Sequence, residues 1–139
     1  MKEYVLDTHI FLSYLTADFG RLSPLVSKII KGFENDDCIF HIPTISFWEI
    51  NFKLITNRFK IKGLDEIRSL DLAHQTINNS SHFQDLELTR KAASLAPSFR
   101  NKLPDPFDQL IVASALDANL PLITRDINIQ KSKLVEIVW

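Results

Sequence analysis

The sequence predicts an α/β fold with a mainly parallel central sheet. Short apolar runs of strand type alternate with segments that are apolar at helical spacing, the pattern of strands joined by crossover helices. Only 3 Gly and 6 Pro punctuate the 139 residues, so turns are few and elements fairly long. No repeat, low-complexity tract or long linker breaks the alternation, and the length is that of one domain, expected to span residues 1–139.

In order, residues 4–6 form a short buried strand, stopped by Asp7-Thr8. Ile10, Phe11, Tyr14 and Leu15 follow at helical spacing. Ser23-Pro24 opens a second helix, with serine as N-cap and proline at the first helical position. Leu25, Ile29, Ile30 and Phe33 form its buried stripe. Residues 38–42 are a strand ended by Pro43. Residues 44–57 are helical and apolar on two faces, Ile45, Trp48, Phe52 and Ile55 on one, and Phe47, Ile50 and Leu54 on the other. A helix apolar most of the way round is buried on several sides or sits in an interface. Residues 63–76 make a weaker helix, 83–88 a short strand, 89–99 and 105–119 helices, and 120–124 and 134–139 the last strands. The sheet is thus expected to hold about 4–5 strands.

Composition narrows the function classes. The hydrophobic and charged fractions, 45% and 24%, exclude a disordered chain. The single Cys38 cannot form an internal disulfide or a cysteine-based zinc site, and it fits a reducing compartment. No apolar run approaches the roughly 18 residues of a transmembrane helix. The N-terminus passes into a strand without a basic-then-apolar leader. The expectation is a soluble cytoplasmic protein with no membrane association. A formal charge of -1 excludes a strongly basic nucleic-acid binder.

The chemistry lies in the acids. Sites in open α/β sheets form beyond the carboxyl ends of the strands. Asp7 follows the first strand, Asp126 lies just past the strand ending at Thr124, Asp105 and Asp108 start the long helix, and Glu49 sits one turn into the doubly apolar helix. A parallel sheet can bring these element ends together. Two carboxylates about 5 Å apart repel by about 3 kcal/mol at an effective dielectric near 20. A divalent cation removes that cost, and all-oxygen ligands point to Mg²⁺ or Mn²⁺ rather than Zn²⁺. The chemistry implied is phosphodiester hydrolysis.

Each acid also has a purely structural explanation. Asp105-Pro106-Phe107-Asp108 is a good helix start, Glu49 can pair with Lys53 at i,i+4, Asp7 can cap the helix beginning at Thr8, and Asp126 can close a turn. Their conjunction favours the functional reading. His41, His74 and His82 lack ligand spacing, His9 is chiefly a helix-start residue, Cys38 reads as core, and no glycine-rich phosphate loop is present.

These residues resemble a known family. Val5-Leu6-Asp7-Thr8-His9 is similar to the opening of a PIN domain of the VapC-like toxin type. Ile45-Ser46-Phe47-Trp48-Glu49-Ile50 resembles its serine-and-WEI helix. The run from Asp105-Pro106-Phe107-Asp108 to Ala115 resembles its DPFDR-led helix, and Pro121-Leu122-Ile123-Thr124-Arg125-Asp126 its following strand and TxD turn. Residues 135–139 resemble its closing strand, so the likeness runs end to end.

The resemblance implies a PIN-like three-layer fold and a Mg²⁺- or Mn²⁺-dependent ribonuclease acting on RNA. It also implies a toxin neutralised by a cognate antitoxin, and a homodimer. Carried over, the catalytic and metal-binding acids are Asp7, Glu49, Asp108 and Asp126. Asp105 caps its helix and borders the site, and Thr124 and Thr8 are secondary candidates. Lys53, Arg58 and Arg125 are the candidate RNA contacts, within basic clusters that include Lys60, Lys62, Arg90, Lys91, Arg100 and Lys102. Gln109 stands where the family's motif has arginine, and 100–104 lacks the histidine often found there, which bears on substrate positioning rather than on the metal site. Two alternatives share the fold, a processing nuclease without an antitoxin and a non-catalytic RNA- or protein-binding module. A HAD-type phosphatase needs an aspartate where His9 stands and is set aside. The apolar surplus of residues 44–57, assigned to Phe47, Phe52 and Leu54, is expected to meet another chain.

Overall fold

Five strands pair side by side, all parallel, in the order β3-β2-β1-β4-β5 in the computed structural model, which describes residues 1–33, 37–56 and 66–139, with 66–69 by backbone alone. They are β1 (Lys2–Leu6), β2 (Cys38–Pro43), β3 (Phe83–Leu86), β4 (Leu122–Ile123) and β5 (Ile137–Val138). Seven α-helices among the described residues connect them: α1 (Thr8–Leu15), α2 (Pro24–Gly32), α3 (Thr44–Ile55), α4 (Glu66–Asn79), α5 (Arg90–Leu95), α6 (Pro106–Ala118) and α7 (Ile127–Ser132). None of them is long and apolar enough to cross a membrane.

Strand alternation sorts the core into two layers of packing. In β1, Val5 packs with Leu122, Ile111, Val112 and Ala115, whereas its neighbour Leu6 packs with Ile123, Phe11, Phe40 and Phe83. In β2, Cys38, Phe40 and Ile42 all belong to the second cluster, at a spacing of two. Helices therefore cover both faces, as the sequence predicts. The second cluster centres on aromatic rings. Phe83 lies 4.6 Å from Tyr14, 5.3 Å from Phe40 and 5.5 Å from Phe33, centroid to centroid.

Serine capping at Ser23 is as expected, its Oγ accepting from the Val26 amide at 3.1 Å. The 89–99 segment is not one helix. It breaks into α5 and a 3₁₀ turn at Ala96–Phe99, because Pro97 has no amide to continue the ladder. The strands expected at 120–124 and 134–139 shrink to two residues each, and the helix expected at 63–76 runs on to Asn79. Asn57 and Gly63, its expected neighbouring boundaries, lie outside the described residues.

The apolar surplus of α3 needs correction. Leu54 is buried with Leu12 and Ile50, and Phe47 packs on Phe11 and His74, so neither is left over for a partner. The exposed apolar residues of α3 are Trp48 at 55% and Ile55 at 71%, both placed by spacing on the apolar stripe with Ile45 and Phe52. The buried face instead carries Ser46, Glu49, Ile50 and Leu54, two of them polar.

Phe83→Ala removes the ring that Tyr14, Phe33 and Phe40 share. It is expected to cost about 3–5 kcal/mol in urea unfolding, with the m-value preserved.

Candidate active site

The acids meet where the chain changes direction across the sheet. From β1 the chain builds β2 and β3 on one side, then returns to add β4 and β5 on the other. The crevice above the β1–β4 boundary is the topological switch point. Asp7 follows the last residue of β1, and its amide donates to the Ile123 carbonyl at 3.0 Å, extending the ladder by one step. Thr124 continues β4 alongside it.

Thr124 is fully buried and its hydroxyl works in two directions. It donates to Asp7 Oδ2 at 2.7 Å and accepts from the Asp126 amide at 3.0 Å. One side chain thus fixes one acid's carboxylate and another acid's backbone. Asp7 Oδ1 accepts from the Thr8 amide at 2.7 Å, which makes Asp7 the N-cap of α1. The Thr8 hydroxyl donates to Ser46 Oγ at 2.9 Å, locking the start of α1 to α3 one turn before Glu49. Each Asp7 oxygen retains lone-pair capacity beyond these bonds.

Glu49 is 4% exposed and pairs with Lys53 at 2.9 Å, the i,i+4 contact expected from spacing. Asp126 caps α7, its Oδ1 accepting from the Ile129 amide at 2.9 Å. Asp105 caps α6 through the Phe107 amide at 2.8 Å and stays exposed, whereas Asp108 lies in the first turn of that helix, half-buried. An aromatic clasp joins the two acid-bearing helices. Trp48 lies 4.9 Å from Phe52 and 5.1 Å from Phe107, between centroids.

Electrostatics show how closely the charges converge. Burial pushes the Asp108 carboxyl up to about 8, and Asp7, Asp105, Asp126 and Glu49 each add to the rise. Asp7 is also raised, mainly by burial and further by Glu49, against the opposing Thr124 hydrogen bond. So Asp7, Glu49, Asp108 and Asp126 come together, with Asp105 on their border. Lys53 is the cation bound to one of them. Arg125 is exposed next to Asp126, and Arg58, Lys60 and Lys62 lie outside the described residues.

The donor set is all oxygen and carries excess negative charge, which fits a hard divalent cation. Among the described residues no three His, Cys, Asp or Glu side chains already form a cage for an ion, so the fit rests on charge and donor type.

Sequence reasoning assigned no role to Ser46, and the signal was slight, a serine at the start of a helix. It noted Gln109 only as a departure from the motif's arginine that bears on substrate positioning. The Gln109 side-chain amide donates to the Leu103 carbonyl at 2.7 Å, anchoring the loop before α6. His41 pairs with Glu3, His74 packs on Phe47, and His82 bonds the Cys38 carbonyl, so all three serve structure.

The PIN domain family model matches residues 4–133. Among solved structures, the chain resembles DNA-bound VapBC2 from Rickettsia felis (TM-score 0.67, 14% identity, 98% of this chain and 97% of that one). It also resembles DNA-bound VapBC from Salmonella typhimurium (0.65, 18%, 99% and 98%) and PAE2754 from Pyrobaculum aerophilum (0.60, 19%, 99% and 84%). At these identities the likeness concerns the fold. A sequence search of curated proteins finds no match.

Two outcomes are expected from the site's construction. Thr124→Val leaves Asp7 Oδ2 buried without its donor and is expected to cost about 1–3 kcal/mol, read by denaturant unfolding in chelator. The second concerns pH. An acid whose pKa rises on folding holds a proton that the unfolded chain releases, so its destabilising effect is absent below its unfolded pKa near 4 and complete above about 8. In chelator, Asp108→Asn should match the wild-type Tm near pH 4 and exceed it increasingly up to pH 8–9. Each kcal/mol of relieved repulsion raises Tm by roughly 3–5 °C for a chain of this size. A constant offset across pH would contradict the assignment.

Proposed function

The chain belongs to the PIN domain family, and from that premise we propose that it is a metal-dependent endoribonuclease, the toxin of a type II toxin–antitoxin pair. The observation that carries the reading is the convergence of Asp7, Glu49, Asp108 and Asp126 at the switch point, where burial, with the neighbouring carboxyls adding to it, pushes Asp108 up to about 8. The likeness to VapBC structures supports the toxin assignment.

In this reading those four acids hold Mg²⁺ or Mn²⁺. When bound, such an ion activates a water for attack on the phosphate and stabilises the leaving oxygen. The chain's own groups set the stage for that chemistry. Thr124 aims Asp7 Oδ2 and holds the Asp126 turn, while Thr8 and Ser46 keep α1 and α3 in register, so that Asp7 and Glu49 face the same crevice. Lys53 offsets the charge on Glu49, and in this reading Lys53 and Arg125 contact the RNA backbone. Asp105 keeps the first turn of α6 intact, and with it the placement of Asp108.

The partners in this reading are the RNA substrate, a cognate antitoxin and a second copy of the chain. With Leu54 and Phe47 packed inside, a homodimer has Trp48 and Ile55 as its apolar contacts on α3.

The test is single-turnover cleavage of single-stranded RNA in Mg²⁺ and Mn²⁺, with RNA ends sequenced. Asp7→Asn and Asp108→Asn should each lose at least about 100-fold in rate, the scale of removing one group that stabilises charge in the transition state. Asp105→Ser retains an N-cap and should stay within about tenfold of wild type. Equal losses at 105 and 108 would move the third acid. No cleavage by wild type with either ion, under conditions where the RNA is bound, would favour the non-catalytic module.

A further inference from the structure

We propose that a lysine-rimmed cavity at the far end of α7 binds a backbone phosphate of the RNA substrate, a few nucleotides from the scissile bond. The proposal rests on the nuclease reading above. The cavity has a volume of about 440 Å³ and is lined by Lys102, Asn128, Lys131, Ser132 and Lys133. Three of these five carry a positive charge and none a negative one.

Like charges gathered on one rim need an answer, as the carboxylates do. Part of it is internal. α7 ends at Ser132, where its C-terminal carbonyls attract cations, and Lys102 Nζ donates to the Ser132 carbonyl at 3.3 Å. Lys131 and Lys133 make no ion pair or hydrogen bond among the described residues. Lys133 adopts the left-handed conformation (φ 55) that stops the helix and turns the chain at the rim. Two further basic side chains earlier in the chain have partners of their own. Lys91 pairs with Asp117 at 3.8 Å, and the Arg100 guanidinium donates to the Pro97 carbonyl.

Position names the occupant. α7 begins at Asp126, in the acidic crevice, and its six residues span about 9 Å. A single strand leaving the crevice reaches that far within a few nucleotides. The opposite wall of the cavity leads to the crevice as well, since Lys102 stands three residues before Asp105 and Gln109 anchors the loop between them. An RNA crossing the crevice meets carboxylates that repel every phosphate not held there. A cationic contact just beyond them compensates, and a free ammonium pair in a cavity is suited to a tetrahedral phosphate oxygen set.

The experiment measures binding of a fluorescent 20-nucleotide single-stranded RNA in Mg²⁺ across a salt series, with the RNA checked for cutting afterwards. Lys131→Gln/Lys133→Gln should weaken binding roughly tenfold near 0.1 M salt and reduce the slope of log K against log salt by about 0.7, the value for one lost phosphate contact on a single strand. Lys131→Arg/Lys133→Arg should retain the slope. Lys2→Gln/Lys28→Gln, with the same change in net charge elsewhere, should leave both affinity and slope close to wild type. If wild type binds and the Gln pair binds equally well, the cavity is not a phosphate site and the nuclease reading stands. An equal loss in the Lys2/Lys28 control makes the effect one of net charge and overturns the proposal. If wild type fails to bind RNA even at low salt, the nuclease reading falls and this proposal with it.

Discussion

Mutual repulsion among partly buried carboxylates is the constraint around which the rest of this molecule is arranged. Asp7, Glu49, Asp108 and Asp126 come from four different elements, and each would be more comfortable in water. They stay together because their backbones have no alternative. Asp7 is fixed by the β1–β4 ladder and by Thr124, Asp126 by the same Thr124 hydroxyl and its cap on α7, Asp108 by the first turn of α6, and Glu49 by a buried helix face. The stability for this comes from the two apolar cores on either side of the sheet, which are far larger than the site. Thr124 is the pivot, since a single hydroxyl ties two of the acids and lies on the strand that defines the switch point.

The same arrangement explains the odd character of α3. Its apolar residues cover more than one face because the helix is wedged between the aromatic core and α6, and its most buried side includes Ser46 and Glu49. Trp48 then points away from the core and clasps Phe107, so aromatic surface near the site serves to hold two acid-bearing helices together. Hydrophobicity in this helix thus reports on the position of the site as much as on the interior.

Much of this was legible in the sequence, for physical reasons. The long helices and central strands declare themselves because burial on a fixed face enforces a period, as at Val5, Leu6, Phe40 and Ile42. The acids were legible as a set because strand ends and helix starts are where a parallel sheet gathers side chains. The failures are equally specific. α7 has six residues and buries only Ile129 and Ser132, too few to show a period, although Asp126 as its N-cap was a usable signal. β4 and β5 pair through two residues each, so their length could not be read from longer apolar runs. Trp48 and Ile55 share a helical stripe with Ile45 and Phe52, and nothing in spacing alone tells a core stripe from one that flanks a site. Gln109 looked like a departure from a motif, and only the Leu103 carbonyl at 2.7 Å shows what it does instead.

The proposed nuclease reading requires this corner of the fold to take a divalent cation, whose charge replaces the proton that burial, helped by the neighbouring carboxyls, keeps on Asp108. Isothermal titration of the wild-type chain with Mn²⁺, in two buffers of different ionisation enthalpy, counts the protons released on binding. With Asp108 at about 8, close to one proton should leave per ion bound at pH 7, falling toward zero by pH 9. Absence of binding, or binding at pH 7 that releases no proton, would contradict the account.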